Sequence, residues 1–171
     1  MLTSAILGAA FFVFAFAVSI FTIYMCFNVV MKITKYDDIS LIKNNNIAAS
    51  LVISSSFVAM AIMVKNALYP INAAFQEFWL MAHKSFIQFF FLFGKSLGYL
   101  LLTFTLSMVS ISSALIIFQK LTKDINEEEE ITRNNIAVGL MLAGVLIAFA
   151  ILIESGISDF VNALIPIRDL L

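Results

Sequence analysis

The residues able to do chemistry in this chain are few and fall into small groups. The densest is acidic: Asp124 with the run Glu127, Glu128, Glu129 and Glu130. Carboxylates this close could dock a basic partner or bind Ca²⁺ or Mg²⁺ weakly through hard oxygen ligands. The plainer expectation is a solvated run that also complements the dipole of the helix behind it. The comparable place upstream offers only Asp37 and Asp38, so such a role would not be shared equally. Asparagines come in pairs, Asn45-Asn46 and Asn134-Asn135, each just ahead of an apolar run. Asn caps helix N-termini well, because its side chain accepts a bond from a free amide one turn in. The sharper alternative is a polar vestibule, formed by the two pairs, that holds an ion or a headgroup. Lys65 and Glu154 follow their asparagine pairs at the same distance, which makes them a candidate ion pair.

Other chemistries lack their parts. Gly94-Lys95-Ser96 is no phosphate loop, since Phe89 stands where the first glycine belongs and no strand leads in. His83 is the single histidine and has no cysteine or second histidine to share a metal. Cys26 is the single cysteine, so no intrachain disulfide can form. Neither a glycine-rich nucleotide fingerprint nor a water-accessible Ser-His-acid set is present. No catalytic residue, metal or cofactor is expected. A net charge of −1 supplies no basic field for nucleic acid.

The elements that must position these groups are written in the composition. Of 171 residues, 62% are hydrophobic and 12% charged. An ordinary soluble domain is about half apolar and about a quarter charged. Lipid is therefore the expected solvent for most side chains. Four runs carry no charge: Met1–Met31, Asn44–Val64, Ser96–Gln119 and Asn134–Ile153. Each suffices for the roughly 20 helical residues that cross a hydrocarbon core. Helices are the expected form, because backbone groups in lipid must be satisfied internally. The first run has neither the basic start nor the short apolar core of a cleaved signal, so it reads as a retained helix.

Between the second and third runs the pattern changes. Asn72, Gln76, His83, Lys84 and Gln88 fall near helical spacing, which suggests an amphipathic helix lying in the interface after Pro70. Phe86–Phe93 could instead lengthen the third helix. A fifth crossing through 71–93 would bury Glu77, His83 and Lys84, at high cost. Trp79, Tyr69 and Tyr99 suit the headgroup boundary.

The chain also repeats itself. Asn45-Asn46-Ile47-Ala48 matches Asn134-Asn135-Ile136-Ala137. Onward, Ser50, Ser54, Ser55 and Ala59 correspond in order to Gly139, Ala143, Gly144 and Ala148, and Lys65 to Glu154. The resulting organisation is a first two-helix repeat over 1–74, an interfacial segment over 75–95 and a second repeat over 96–171. Two crossings per unit return the chain to its starting side, so the units would be parallel repeats. The small residues are expected to form one stripe per helix, turned toward each other or toward a neighbour. Gly94 and Gly98 form a further small pair at the start of the third helix.

Acids followed by Glu130-Ile131, then Asn135 and Ala137, then Gly139, Ala143-Gly144 and Ala148, resemble the YjfL-like family of bacterial inner-membrane proteins. That family is a tandem-repeat domain of unknown function (350). The first unit departs from the pattern, with Leu41-Ile42 in place of Glu-Ile and serines in place of glycines. The resemblance implies a bacterial inner-membrane address and four helices, and it supplies no activity or site.

Six of the ten Lys and Arg lie in the linkers Lys32–Lys43 and Lys120–Arg133, and four on the other side. Basic residues favour the cytoplasm, so linkers inside and termini outside is the expected orientation. The leading functional expectation is a non-enzymatic membrane subunit in contact with lipids. It would form a homo-oligomer or dock another membrane protein. A small ion channel or transporter on a parallel internal repeat is the alternative, along a hydroxyl route through Ser54–Ser56, Ser107 and Ser110.

Overall fold

The computed structural model describes residues 2–33, 38–81, 85–122 and 126–167. His83, Lys84 and Asp124 lie outside the described residues, as do Lys35, Asp37, Lys123 and Arg168. All described elements are helical: α1 (Leu2–Ile33), α2 (Asp38–Lys43), α3 (Ile47–Leu80), α4 (Phe86–Leu121), α5 (Glu127–Thr132) and α6 (Ile136–Leu164). The four long ones are apolar enough to cross a membrane, with spans Gly8–Lys32, Ile47–Leu80, Phe86–Leu121 and Ile136–Leu164. Each contains one of the charge-free runs or nearly all of it.

The most extensive contact between elements joins α3 and α6. These two helices run side by side in the same direction. Their starts meet where Asn46 Nδ2 donates to Ile131 O at 2.7 Å, and further along Lys65 Nζ lies 3.4 Å from Glu154 Oε2. The two backbones come very near at Gly139, where an added Cβ would stand 2.7 Å from Ala48 Cα and 2.8 Å from its carbonyl oxygen. Only glycine lets two backbones come so near. α1 packs on α3 through Cys26, whose thiol donates to Ser56 O at 3.6 Å, and through Phe27 stacked on Phe57. It touches α4 where Phe21 meets Phe104.

The interfacial segment expected over 75–95 is not a separate element. α3 passes without a break through Pro70 and through position 74 to Leu80, and α4 starts at Phe86. Residues 75–80 belong to α3 and 86–95 to α4. Proline forfeits one helical bond, but neighbouring helices make that tolerable inside a bundle. Here Ala67, Ile71 and Ala74, on either side of Pro70, are all buried. Phe89 then holds the two arms together, with ring centroids 6.2 Å from Phe75 and 5.9 Å from Phe78. Packing overrode the amphipathic pattern.

With 34 residues α3 is about 51 Å long at 1.5 Å per residue, well beyond a hydrocarbon core of about 30 Å. The Lys65–Glu154 contact stands about 27 Å from the helix starts. The apolar layer between the asparagines and that contact matches a bilayer core. Beyond it lies a more polar tier. There Tyr99 OH donates to Asn162 Oδ1 at 3.1 Å, Lys95 Nζ to Pro166 O at 3.1 Å, and Gln76 Nε2 to Asn72 Oδ1 at 3.1 Å. Tyr69 is exposed and Trp79 partly so, whereas Tyr99 is fully buried where α4 packs on α6.

Candidate functional site

The polar groups of the linker end assemble around two identical turns. After α2, Asn45 N–H donates to Ile42 O at 3.0 Å and Asn46 N–H to Leu41 O at 2.9 Å. After α5, Asn134 N–H donates to Ile131 O and Asn135 N–H to Glu130 O, both at 2.9 Å. This pair of bonds is the Schellman ending, which places the residue past the helix in the left-handed region. Asn45 has φ 57° and Asn134 φ 63°. Asparagine enters that region more readily than most residues with a Cβ. The two members of each pair thus divide the work. The first ends a short helix and the second caps a long one.

Capping follows the sequence expectation at the second position. Asn46 Oδ1 accepts from Ala49 N–H at 2.9 Å, and Asn135 Oδ1 from Ala137 N–H at 3.2 Å. The remaining contacts break the symmetry. Asn46, nearly buried, reaches across to the carbonyls of Ile131 and Thr132. Asn134 Oδ1 accepts from Ala48 N–H at 3.1 Å, so an asparagine of the second unit caps a helix of the first. Asn135 Nδ2 instead donates to Glu130 Oε2 at 2.6 Å. Three of the four side chains are committed in this way to protein groups. Two of them, Asn46 and Asn134, form a clasp between the two units.

The acidic run is engaged as well. Glu127 is buried and accepts from the Thr122 hydroxyl. Arg133 pairs with Glu129 at 2.5 Å and lies 4.0 Å from Glu130. The run is only partly the solvated strip its sequence suggests, because α5 folds it back against the end of α4. Four consecutive acids in the first turn of α5 also suit that helix dipole. Groups of three or more metal-ligating side chains are absent among the described residues.

Lys65 and Glu154 come together at the far end of the apolar layer. The ammonium is in ion-pair range at 3.4 Å, although Glu154 Oε2 itself receives no hydrogen bond. Beyond this pair a cavity of about 590 Å³ opens between α3 and the end of α6, lined by Tyr69, Asn72, Gln76 and Asn162 among others.

The small-residue stripes do not behave as one stripe per helix. A step of one residue turns a helix by about 100°, so the four positions cover half its circumference. On α3, Ser55 and Ala59 are buried, Ser50 is half-buried and Ser54 is exposed. On α6 the pattern is reversed: Gly139 and Ala143 are buried, and Gly144 and Ala148 are exposed. A Cβ added at Gly98 would stand 3.6 Å from Ile165 Cδ1, while one at Gly94 would meet open space. The buried hydroxyls of Ser56, Ser96, Thr103 and Ser107 each donate to a carbonyl four residues back in their own helix.

A family model, Domain of Unknown Function (DUF350), matches the chain twice, over residues 1–99 and 91–167. No curated protein and no solved structure matches it. The two matches meet in the first half of α4, and together they take in all four long helices, both asparagine turns and the clasp between them. The chain belongs to the DUF350 family, as a tandem pair of its domains.

Proposed function

We propose that this protein is a non-enzymatic subunit of the bacterial inner membrane. It acts by associating with further copies of itself or with another membrane protein. Four spans arranged as two parallel two-helix repeats would carry both linkers on the cytoplasmic side, where six of the ten basic residues lie. The observation that carries the reading is the state of the interior. Ser56 and Ser107 are fully buried, Ser96 and Thr103 almost so, and all four spend their donors within their own helices. Side chains used in this way hold a packed core rather than line a wet route. The apolar layer between the asparagine turns and Lys65 carries no charge in α3, which pathways commonly use.

Transport is the competing reading, and the Lys65–Glu154 contact favours it, as charges near a membrane core often mark ion paths. Reconstitution in liposomes separates the two. The subunit reading expects an oligomer or complex in mild detergent and no ion flux. Flux abolished by Ser55→Ala or Asn46→Ala would defeat it.

A further inference from the structure

Corresponding positions of α3 and α6 are covered in opposite ways, and the difference forms a pattern. On α3, Ala48, Val52, Ser55, Ala59 and Met63 share one face and are all buried. Their counterparts on α6 are Ala137, Met141, Gly144, Ala148 and Leu152, and every one is exposed. A second face behaves inversely. Gly139, Ala143, Leu146 and Ala150 are buried on α6, while their counterparts Ser50, Ser54, Phe57 and Ala61 on α3 are half-buried or exposed. Inside the chain, the first face of α3 meets the second face of α6 at Ala48 and Gly139. Half of each complementary pair of surfaces is therefore left over, on opposite helices.

The leftover halves keep the shapes of the used ones. Along the first face the buried order on α3 is small, medium, small, small, large, and the open order on α6 differs from it only at the second place, where Met141 is larger than Val52. Along the second face both orders are small, small, large, small. The open serines need no solvent, because Ser50 and Ser54 donate to Asn46 O and Ser50 O in their own helix. Phe57 stacks on Phe27 of α1, and Phe57 and Ala61 line a cavity of about 210 Å³ against α1, so the open part of this face is bordered by α1 and is freest at Ser50 and Ser54.

We propose that a second copy of this chain docks the open face of its α3 on the open face of α6, repeating the internal α3–α6 contact between chains. The proposal rests on the self-association reading above and names its surface. Because α3 and α6 run in the same direction, the repeated contact keeps all copies in one orientation in the bilayer. The two surfaces differ, so the association is head-to-tail and leads to a ring when its rotation closes. Asn45 of the second copy, left-handed like Asn134, would face Ala137 as Asn134 faces Ala48. Ser50 stands where Gly139 does, which obliges a slightly wider approach between chains than within one.

The test uses the full chain on a Cys26→Ala background, in native membranes, with two differently tagged forms expressed together. One form carries Ser50→Cys and the other Ala137→Cys, the counterparts of Gly139 and Ala48. Oxidation should give the mixed disulfide dimer in clear excess over either like-with-like dimer. Adding Gly144→Trp should abolish most of that mixed product; no other residue approaches a Cβ at 144 within the chain, so the fold itself is spared. Like-with-like dimers dominating, or a multimer in mild detergent without the mixed product, would overturn the head-to-tail contact alone. A strictly monomeric chain without crosslinks would overturn the self-association reading with it.

Discussion

α3 and α6 open with the same four residues behind the same turn, yet α3 is covered by three long helices while α6 keeps a whole face open. In their most apolar windows 56% of α3 is buried and 33% of α6. The difference teaches that equivalent sequence does not ensure equivalent burial in a tandem repeat. α3 packs against all three other long helices, whereas α6 packs against α3 and α4. The same holds for the turns. Asn46 is buried across the unit boundary, and Asn135 stays within its own turn.

Substitutions at matched positions can break or sharpen this contrast. The largest effect is expected from Gly139→Leu, whose side chain would collide with the Ala48 backbone. Overpacking of this kind costs about 1–3 kcal/mol or more, so the protein should lose its single sharp peak in detergent size exclusion. Ser50→Leu, at the matching place on α3, should leave the single chain folded. Asn46→Ala comes next. It removes a cap and leaves the Ile131 and Thr132 carbonyls short of a donor, for about 1–3 kcal/mol. Asn135→Ala should cost about half of that, closer to a simple cap loss of ~1 kcal/mol, and thermal unfolding in detergent would rank the two.

Exchanging the charges at 65 and 154 gives a smaller signal. Both groups are partly exposed, so the pair is worth less than about 1 kcal/mol. Lys65→Glu or Glu154→Lys alone should lower the unfolding temperature, and the double exchange should restore it. If the double variant recovers nothing, the contact has no energetic weight. The smallest change is expected for Asn45→Gly, since glycine enters the left-handed region without strain. Asn134→Gly should cost more, because it also removes the acceptor for Ala48 N–H.

Much of the layout was legible beforehand, and particular residues show why. Lys32 and Lys120 stand at the ends of α1 and α4, because desolvating a charge is expensive, whereas Lys65, Lys95 and Glu154 end the charge-free runs but lie inside helices that continue past them. The asparagine pairs announced helix starts for the same local reason. Their left-handed first members were missed, although a second Asn directly behind a short polar helix is a signal for a Schellman ending. The reach of α3 past Pro70 is not legible locally, because it depends on Phe75 and Phe78 packing against Phe89 of α4.

By itself the amino-acid order determined that lipid is the solvent, that four helices are long enough to cross it, and that two similar units follow one another. Those properties come from local composition and hydrogen-bond closure, which need no knowledge of neighbours. Only the tertiary structure decided which side of each helix is covered, that an asparagine of one unit caps the other, and that 75–80 and 86–95 belong to α3 and α4. Burial is a relation between surfaces, and nothing local can say which of two equal surfaces finds its match.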